Sequence, residues 1–195
     1  RIKGAGRKWI RRAEVVDGYL PWMEWVNKDK VAYMHLDRLQ KNWDIFVADK
    51  KTGKSVKILS ESDPKGWLEN HKQIRFLKDS RIIWISEKSG YKHLWISKHS
   101  GSISWPITQG QWEVTKIVHI DEDKEVIYFM SNKESVFESR FYSIRYDGTD
   151  LKLLTPEDGS HSVSLLGSKL YFLDTFSSLQ IPKIIQLKEL STSNL

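Results

Sequence analysis

Tyr142-Ser143-Ile144-Arg145-Tyr146-Asp147-Gly148 alternates aromatic and β-branched residues with polar ones and then runs into an Asp-Gly pair. Alternation with a period of two favours a strand, and Asp-Gly between two such runs signals a tight hairpin. Working outward, the same turn recurs at Thr52-Gly53 and Ser100-Gly101. The spacings are 101 − 53 = 48 and 148 − 101 = 47. Each turn is followed by a short apolar-plus-hydroxyl end: Leu59-Ser60, Ile107-Thr108 and Leu154-Thr155. An apolar block precedes each: Val31 to Met34, Ile82 to Ile85 and Val126 to Phe129, with a fourth from Leu170 to Leu173. Repeats of this length built from short strands mark propeller blades. The pattern predicts an all-β chain, the later part of a β-propeller, with about three full four-stranded blades plus a partial fourth. Residues 1–18 read as the end of a preceding blade. Blades are then expected over 19–60, 74–108 and 114–155, with a partial blade over 161–190.

The bulk composition agrees with a folded protein. Of the 195 residues, 39% are hydrophobic and 29% charged. Nine Trp, seven Tyr and seven Phe suit broad sheet-to-sheet packing. No apolar run approaches the length of a membrane-spanning helix. Without cysteine, disulfide staples, thiolate catalysis and Cys-based metal centres are excluded. The net charge of +6 is concentrated in Arg1, Lys3, Arg7, Lys8, Arg11 and Arg12. The rest of the chain balances, so the basic arm reads as the cut end of a longer protein rather than a nucleic-acid site.

Familiar catalytic signatures do not occur. There is no G-x-S-x-G elbow, no phosphate loop and no H-E-x-x-H. Gly4-Ala5-Gly6 lacks the third glycine of a dinucleotide fingerprint, since Trp9 stands there. The histidines are scattered singly; His93 and His99 are poorly spaced for shared metal ligation, and His161 reads as a structural, hydrogen-bonded residue. Glu87 and Glu113 fall beside aromatic positions and suit structural ion pairs better than acid–base work. No cofactor and no metal site is expected.

Two longer connections stand out, Glu61 to Gln73 and Asn132 to Arg140. Loops on rigid sheets are where function concentrates. In the first, Gly66-Trp67-Leu68-Glu69-Asn70-His71 mixes an aromatic, a carboxylate, an amide and an imidazole, a set that suits recognition of a peptide end. The blander reading makes Trp67 the cover of a blade edge.

Ser86-Glu87-Lys88-Ser89-Gly90-Tyr91-Lys92-His93-Leu94-Trp95, followed by Thr108-Gln109-Gly110-Gln111-Trp112-Glu113-Val114, resembles the propeller of the dipeptidyl peptidase IV family. That family carries S-x-x-x-G-[YFW]-x-H-L-[YW] and then T-x-G-x-W-E-V. Upstream, Tyr19-Leu20-Pro21, Trp25, Arg38-x-Gln40 and Asp49-x-x-Thr52-Gly53 are similar to its preceding blade. Downstream, Gly159-x-His161, Asp174-x-Phe176-Ser177 and Pro182 are similar to its closing part. The ordered set covers about Lys8 to Pro182.

The resemblance implies a prolyl-oligopeptidase-type serine exopeptidase that removes N-terminal Xaa-Pro or Xaa-Ala dipeptides. Its catalytic residues belong to a C-terminal α/β-hydrolase domain, which is the implied partner in the same protein. These residues would carry no catalytic group; they would gate and position the peptide, with Trp67, Glu69 and Asn70 as substrate-proximal candidates. Vertebrate members place an Arg and a Phe after the corresponding Trp, whereas the Trp-Leu-Glu-Asn stretch here is closer to bacterial members. The absence of cysteine departs from the disulfide-linked vertebrate propeller and points the same way, and for such a member the resemblance implies a periplasmic or extracytoplasmic location. A homodimer is a further candidate assembly. A stand-alone propeller that binds protein or peptide is the alternative reading.

Overall fold

The computed structural model describes residues 9–11, 17–68, 73–98, 103–167 and 171–190. Fifteen strands appear among them: β1 (Met23–Asn27), β2 (Lys30–Leu36), β3 (Asn42–Asp49), β4 (Ser55–Ser62), β5 (Ile74–Phe76), β6 (Ile82–Ser86), β7 (His93–Ser97), β8 (Ser104–Pro106), β9 (Val114–Asp121), β10 (Val126–Ser131), β11 (Arg140–Arg145), β12 (Lys152–Leu153), β13 (Ser160–Leu165), β14 (Tyr171–Ser177) and β15 (Ile184–Glu189). They form antiparallel meanders in chain order: β1-β2-β3-β4, β5-β6-β7-β8, β9-β10-β11-β12 and β13-β14-β15. The chain is all-β, as its alternation requires.

Two compact units are present, residues 1–82 with 97–103 and residues 83–96 with 104–195. In the first unit, Tyr33 pairs with Phe46 across β2 and β3, and their rings stack at 5.2 Å. Ala48 and Ile10 complete that cluster. Ile10 arrives from a segment that lies beside β4. Arg11 bridges Lys54 in parallel, and its N–H donates to the Gly53 carbonyl at 2.8 Å.

One core cluster of the second unit lies between the third and fourth sheets. Val126, Tyr128 and Met130 share one face of β10 and pack with Phe141, Val163, Phe172 and Leu190. Phe141 and Phe172 meet across the two sheets with ring centroids 5.2 Å apart. All six residues of β10 are buried, and so are all five of β6, because these second strands are covered on both faces.

The repeat seen in the sequence is a repeat of hydrogen bonds. Leu94 N–H donates to Thr108 Oγ1 at 2.9 Å, and Phe141 N–H donates to Thr155 Oγ1 at 2.9 Å. Both partners shift by the same amount, 141 − 94 = 47 and 155 − 108 = 47. Ile107 N–H to Leu94 O and Leu154 N–H to Phe141 O follow the same shift. The hydroxyl ending each of these two apolar blocks therefore caps the backbone N–H at the start of the third strand, where the short fourth strand gives out. Two described hairpin turns each use an Asp carboxylate to hold a Thr, at different spacings. Asp49 Oδ1 accepts from the N–H and hydroxyl of Thr52, and Asp147 Oδ1 accepts from those of Thr149. The Ser100-Gly101 turn lies outside the described residues.

Candidate functional site

The motif residues of the second sheet close on His93. This buried ring points Nδ1 at Thr108 Oγ1 and Nε2 at the Gly110 carbonyl, each at 3.0 Å. A carbonyl only accepts, so Nε2 carries the hydrogen and Nδ1 takes the Thr108 hydroxyl's. Trp112 meets the imidazole edge-on at 5.0 Å. Gly110 sits at φ +133, and a Cβ there would overlap the Trp112 indole. The spacing H-L-W…T-x-G-x-W thus encodes one packed knot. Its neighbour Glu113 works through its backbone: its N–H donates to Asn132 Oδ1 at 2.6 Å, and its carbonyl accepts from Ser131 Oγ at 2.8 Å. Glu87 pairs with Lys92 at 3.2 Å.

One repeat onward, Arg140 takes the place of His93, since 140 − 93 = 47. Its buried guanidinium donates to Glu138 at 2.6 Å, to Asp158 at 2.7 Å and to the Pro156 carbonyl at 3.1 Å. Burial alone would weaken its hold on the proton, but the hydrogen bonds and charges of Glu138 and Asp158 outweigh burial and raise its pKa. Arg140 therefore fastens the β10–β11 loop to the connection leading into β13.

His161 anchors the last sheet. Its Nδ1 lies 2.9 Å from both oxygens of Asp174, and Nε2 lies 3.0 Å from the Glu157 carbonyl. Lys188 donates to Glu157 Oε1 at 2.8 Å and approaches Asp174 Oδ2 at 3.0 Å. The side chains of His161 and Asp174 are fully enclosed. Burial would raise the Glu157 pKa, but the hydrogen bond and charge of Lys188 outweigh it and hold the carboxyl below its ordinary value. Burial likewise opposes the Lys188 charge, yet its two carboxylate partners raise its pKa. Ligand-type atoms of Glu157, His161 and Asp174 lie within 4.8 Å of one another. The Lys188 ammonium lies between two of these carboxylates and His161 points both ring nitrogens at acceptors, which makes the group a hydrogen-bonded, ion-paired lock for β13, β14 and β15. Gly159 sits at φ +145, where a Cβ would meet Phe176 and the Ser177 carbonyl, and the Phe176 ring stacks on His161 at 4.7 Å. These contacts account for the G-x-H and D-x-F-S spacing.

Of the substrate-proximal candidates, Trp67 is exposed, in the loop that follows β4. Asp63 Oδ1 accepts from the N–H groups of Lys65 and Gly66, and Leu68 N–H reaches Gln40 O at 2.8 Å, so the loop is tied to the β2–β3 connection. Glu69 and Asn70 lie outside the described residues, as do His71, His99 and most of the basic arm. Sequence reasoning missed Arg140 and Lys188. Arg140 was accessible, standing one period after His93. Lys188 was not, since only the β14–β15 register, with Asp174 opposite Gln186, brings it near Asp174.

Four-stranded meanders joined by a 47-residue period of backbone and hydroxyl bonds define part of a β-propeller. The family model for the dipeptidyl peptidase IV N-terminal region matches residues 7–183, and the chain belongs to that family. It is 26% identical over 202 residues to "Probable dipeptidyl peptidase 4" of Aspergillus flavus, covering 99% of this chain and 26% of that protein. A protein of the same description from Emericella nidulans is also 26% identical, over 87% of this chain and 23% of its own length. Among solved structures, Porphyromonas gingivalis dipeptidyl peptidase 4 superposes with a TM-score of 0.83 at 25% identity, covering 91% of this chain and 26% of that one. A Bacteroides ovatus protein, 20% identical with a TM-score of 0.74, shares the fold. The chain thus spans about a quarter of the length of the curated relatives it matches. Those relatives are fungal, so they do not bear on a bacterial origin.

Proposed function

We propose that these residues are the non-catalytic propeller part of a serine-type exopeptidase that releases N-terminal dipeptides with Pro or Ala in second position. The observation that carries the reading is the family match over residues 7–183, with its motifs in order. The described motif side chains support a scaffold role. His93, Arg140 and His161 all spend their polar atoms on neighbouring loops and strands. The four sheets are assigned as blades over 19–60, 74–108, 114–155 and 161–190, with 1–18 ending an earlier blade. In the complete protein the propeller gates the peptide, and the loop holding Trp67, Glu69 and Asn70 faces the substrate. An α/β-hydrolase domain in the same polypeptide supplies the nucleophile, base and oxyanion hole, which work only when assembled together. The enzyme is placed in the periplasm or another extracytoplasmic compartment of a bacterium, with a homodimer as its candidate assembly.

The test is cleavage of a chromogenic Gly-Pro amide by this chain and, beside it, by the complete gene product. Activity in the longer protein alone is the expected result. Inactivity of both removes the peptidase reading in favour of a binding propeller.

A further inference from the structure

Six cations meet at the two hairpin turns of the first sheet. Register sets Lys30 opposite Asp49, so the β1–β2 and β3–β4 turns lie side by side. Lys50 joins them: its N–H donates to Asp29 O at 3.0 Å, and its ammonium donates to Lys28 O at 2.6 Å and pairs with Asp29 Oδ1 at 2.8 Å. The segment before β1 adds Arg11 beside Lys54, through the bond of its N–H to Gly53 O. Arg11, Lys28, Lys30, Lys50, Lys51 and Lys54 are all exposed.

Two carboxylates stand among these cations, and both are engaged. Asp29 holds Lys50, while Asp49 Oδ1 accepts from the N–H groups of Lys51 and Thr52 and from the Thr52 hydroxyl. Among the described residues, Lys50 alone of the six forms an ion pair. Six cations less two carboxylates leave an excess of four positive charges. The opposite end of the same sheet is mixed in sign: its connections carry Asp37, Arg38, Lys41, Asp63 and Lys65, with the exposed Trp67. In the third sheet, the corresponding turns carry Glu122, Asp123, Glu125, Asp147 and Asp150 against Lys124. The balance of charge along the body of the chain therefore hides a local separation. At the rim of the basic end, the Trp9 carbonyl lies over Gly53, where a Cβ would stand, and the Trp9 ring is 84% exposed.

We propose that this end of the first sheet seats the protein on an anionic lipid bilayer, with the lysines on headgroup phosphates and Trp9 at the headgroup boundary. Each Lys or Arg held near such a surface gains about fivefold in affinity, and Trp is a residue of membrane–water boundaries. Nucleic acid fits less well. Single strands are tracked along a groove with successive stacking platforms, whereas these cations stand on turn tips. Four of the five cations without an ion pair are lysines, compact point charges that suit a field of mobile headgroups; arginine would suit fixed bidentate contacts. Seating on this end leaves the Trp67 loop, at the other end of the sheet, clear of the membrane.

Cosedimentation of the complete gene product with extruded vesicles tests it. Binding to mixed phosphatidylglycerol and phosphatidylcholine vesicles is expected, weakening as salt rises and absent with phosphatidylcholine alone. Lys28→Gln/Lys51→Gln/Lys54→Gln is expected to weaken binding about 100-fold, at about fivefold per charge, with an unchanged melting temperature. Lys28→Arg/Lys51→Arg/Lys54→Arg keeps the charges and keeps the binding. Lys65→Gln/Lys116→Gln/Lys124→Gln removes the same charge from exposed positions elsewhere and changes binding less than about fivefold. Equal binding to the two kinds of vesicle, or an equal loss in the two Gln triples, overturns the proposal. Tighter binding, per phosphate, to a single-stranded oligonucleotide overturns it in favour of nucleic acid. Salt-sensitive sedimentation without vesicles also overturns it, because the partner is then a second copy presenting its acidic third-sheet turns.

Discussion

Replacing Lys188 with Met probes the lock that holds the last sheet. The ammonium touches two carboxylates of very different exposure. Asp174 is fully enclosed, whereas the Glu157 side chain is 45% exposed. Removing one partner of a buried pair typically costs about 3–5 kcal/mol, because the stranded charge stays desolvated. Lys188 itself is partly exposed, its contact with Glu157 is screened and Asp174 keeps His161 Nδ1 at 2.9 Å, so the expected loss is reduced to about 2–3 kcal/mol. Glu157→Gln removes only the screened contact and is expected to cost less than about 1 kcal/mol. Urea unfolding of the 195-residue chain, followed by circular dichroism and tryptophan emission, reads both as midpoint shifts at unchanged slope. The ordering decides the matter. If Lys188→Met loses no more than Glu157→Gln, Lys188 is not compensating the buried Asp174, and the lock as described is wrong.

Phe141→Ala removes the ring that joins the third and fourth sheets, and a loss of about 3–5 kcal/mol is expected by the same unfolding assay; a loss below about 1 kcal/mol would mean the two sheets do not share that core. Gly110→Ala forces a Cβ into Trp112 at a backbone conformation that L residues rarely adopt, costing about 1–3 kcal/mol, with a shift in tryptophan emission as the local readout. Stability also depends on pH with a definite sign. Glu157, Asp49 and Asp147 are held below their ordinary values, by Lys188 against burial for the first and by Thr52 and Thr149 bonds for the others. A carboxylate held low adds stability above its unfolded pKa and loses it as pH falls through the lowered folded value. The urea midpoint is therefore expected to fall below about pH 4.5. Glu24 acts in the opposite sense, since burial raises its pKa against Arg75 and Trp22; a midpoint that rises on acidification would show that groups of this kind dominate. On the proposed function, Trp67→Ala in the complete gene product raises KM for a Gly-Pro amide and leaves the melting temperature unchanged, because its ring is exposed; an unchanged KM removes it from the substrate wall.

Much of the scaffold was legible in the residues. Alternation, Asp-Gly and Thr-Gly turns and a 47-residue period specify short strands, tight hairpins and their order, because each is a local property of the backbone and of side chains two residues apart. The hydroxyl after each apolar block and the motif glycines were equally visible, although their reasons were not. Only folding brings Thr108 under His93, the Trp112 ring against the space above Gly110, and Thr155 beneath the Phe141 N–H. The candidate site divides in the same way. His161 was readable as a structural residue, and Arg140 stood one period from His93. The partnership of Lys188 with Asp174 and Glu157 joins residues up to 31 positions apart and exists only once β14 and β15 pair in register.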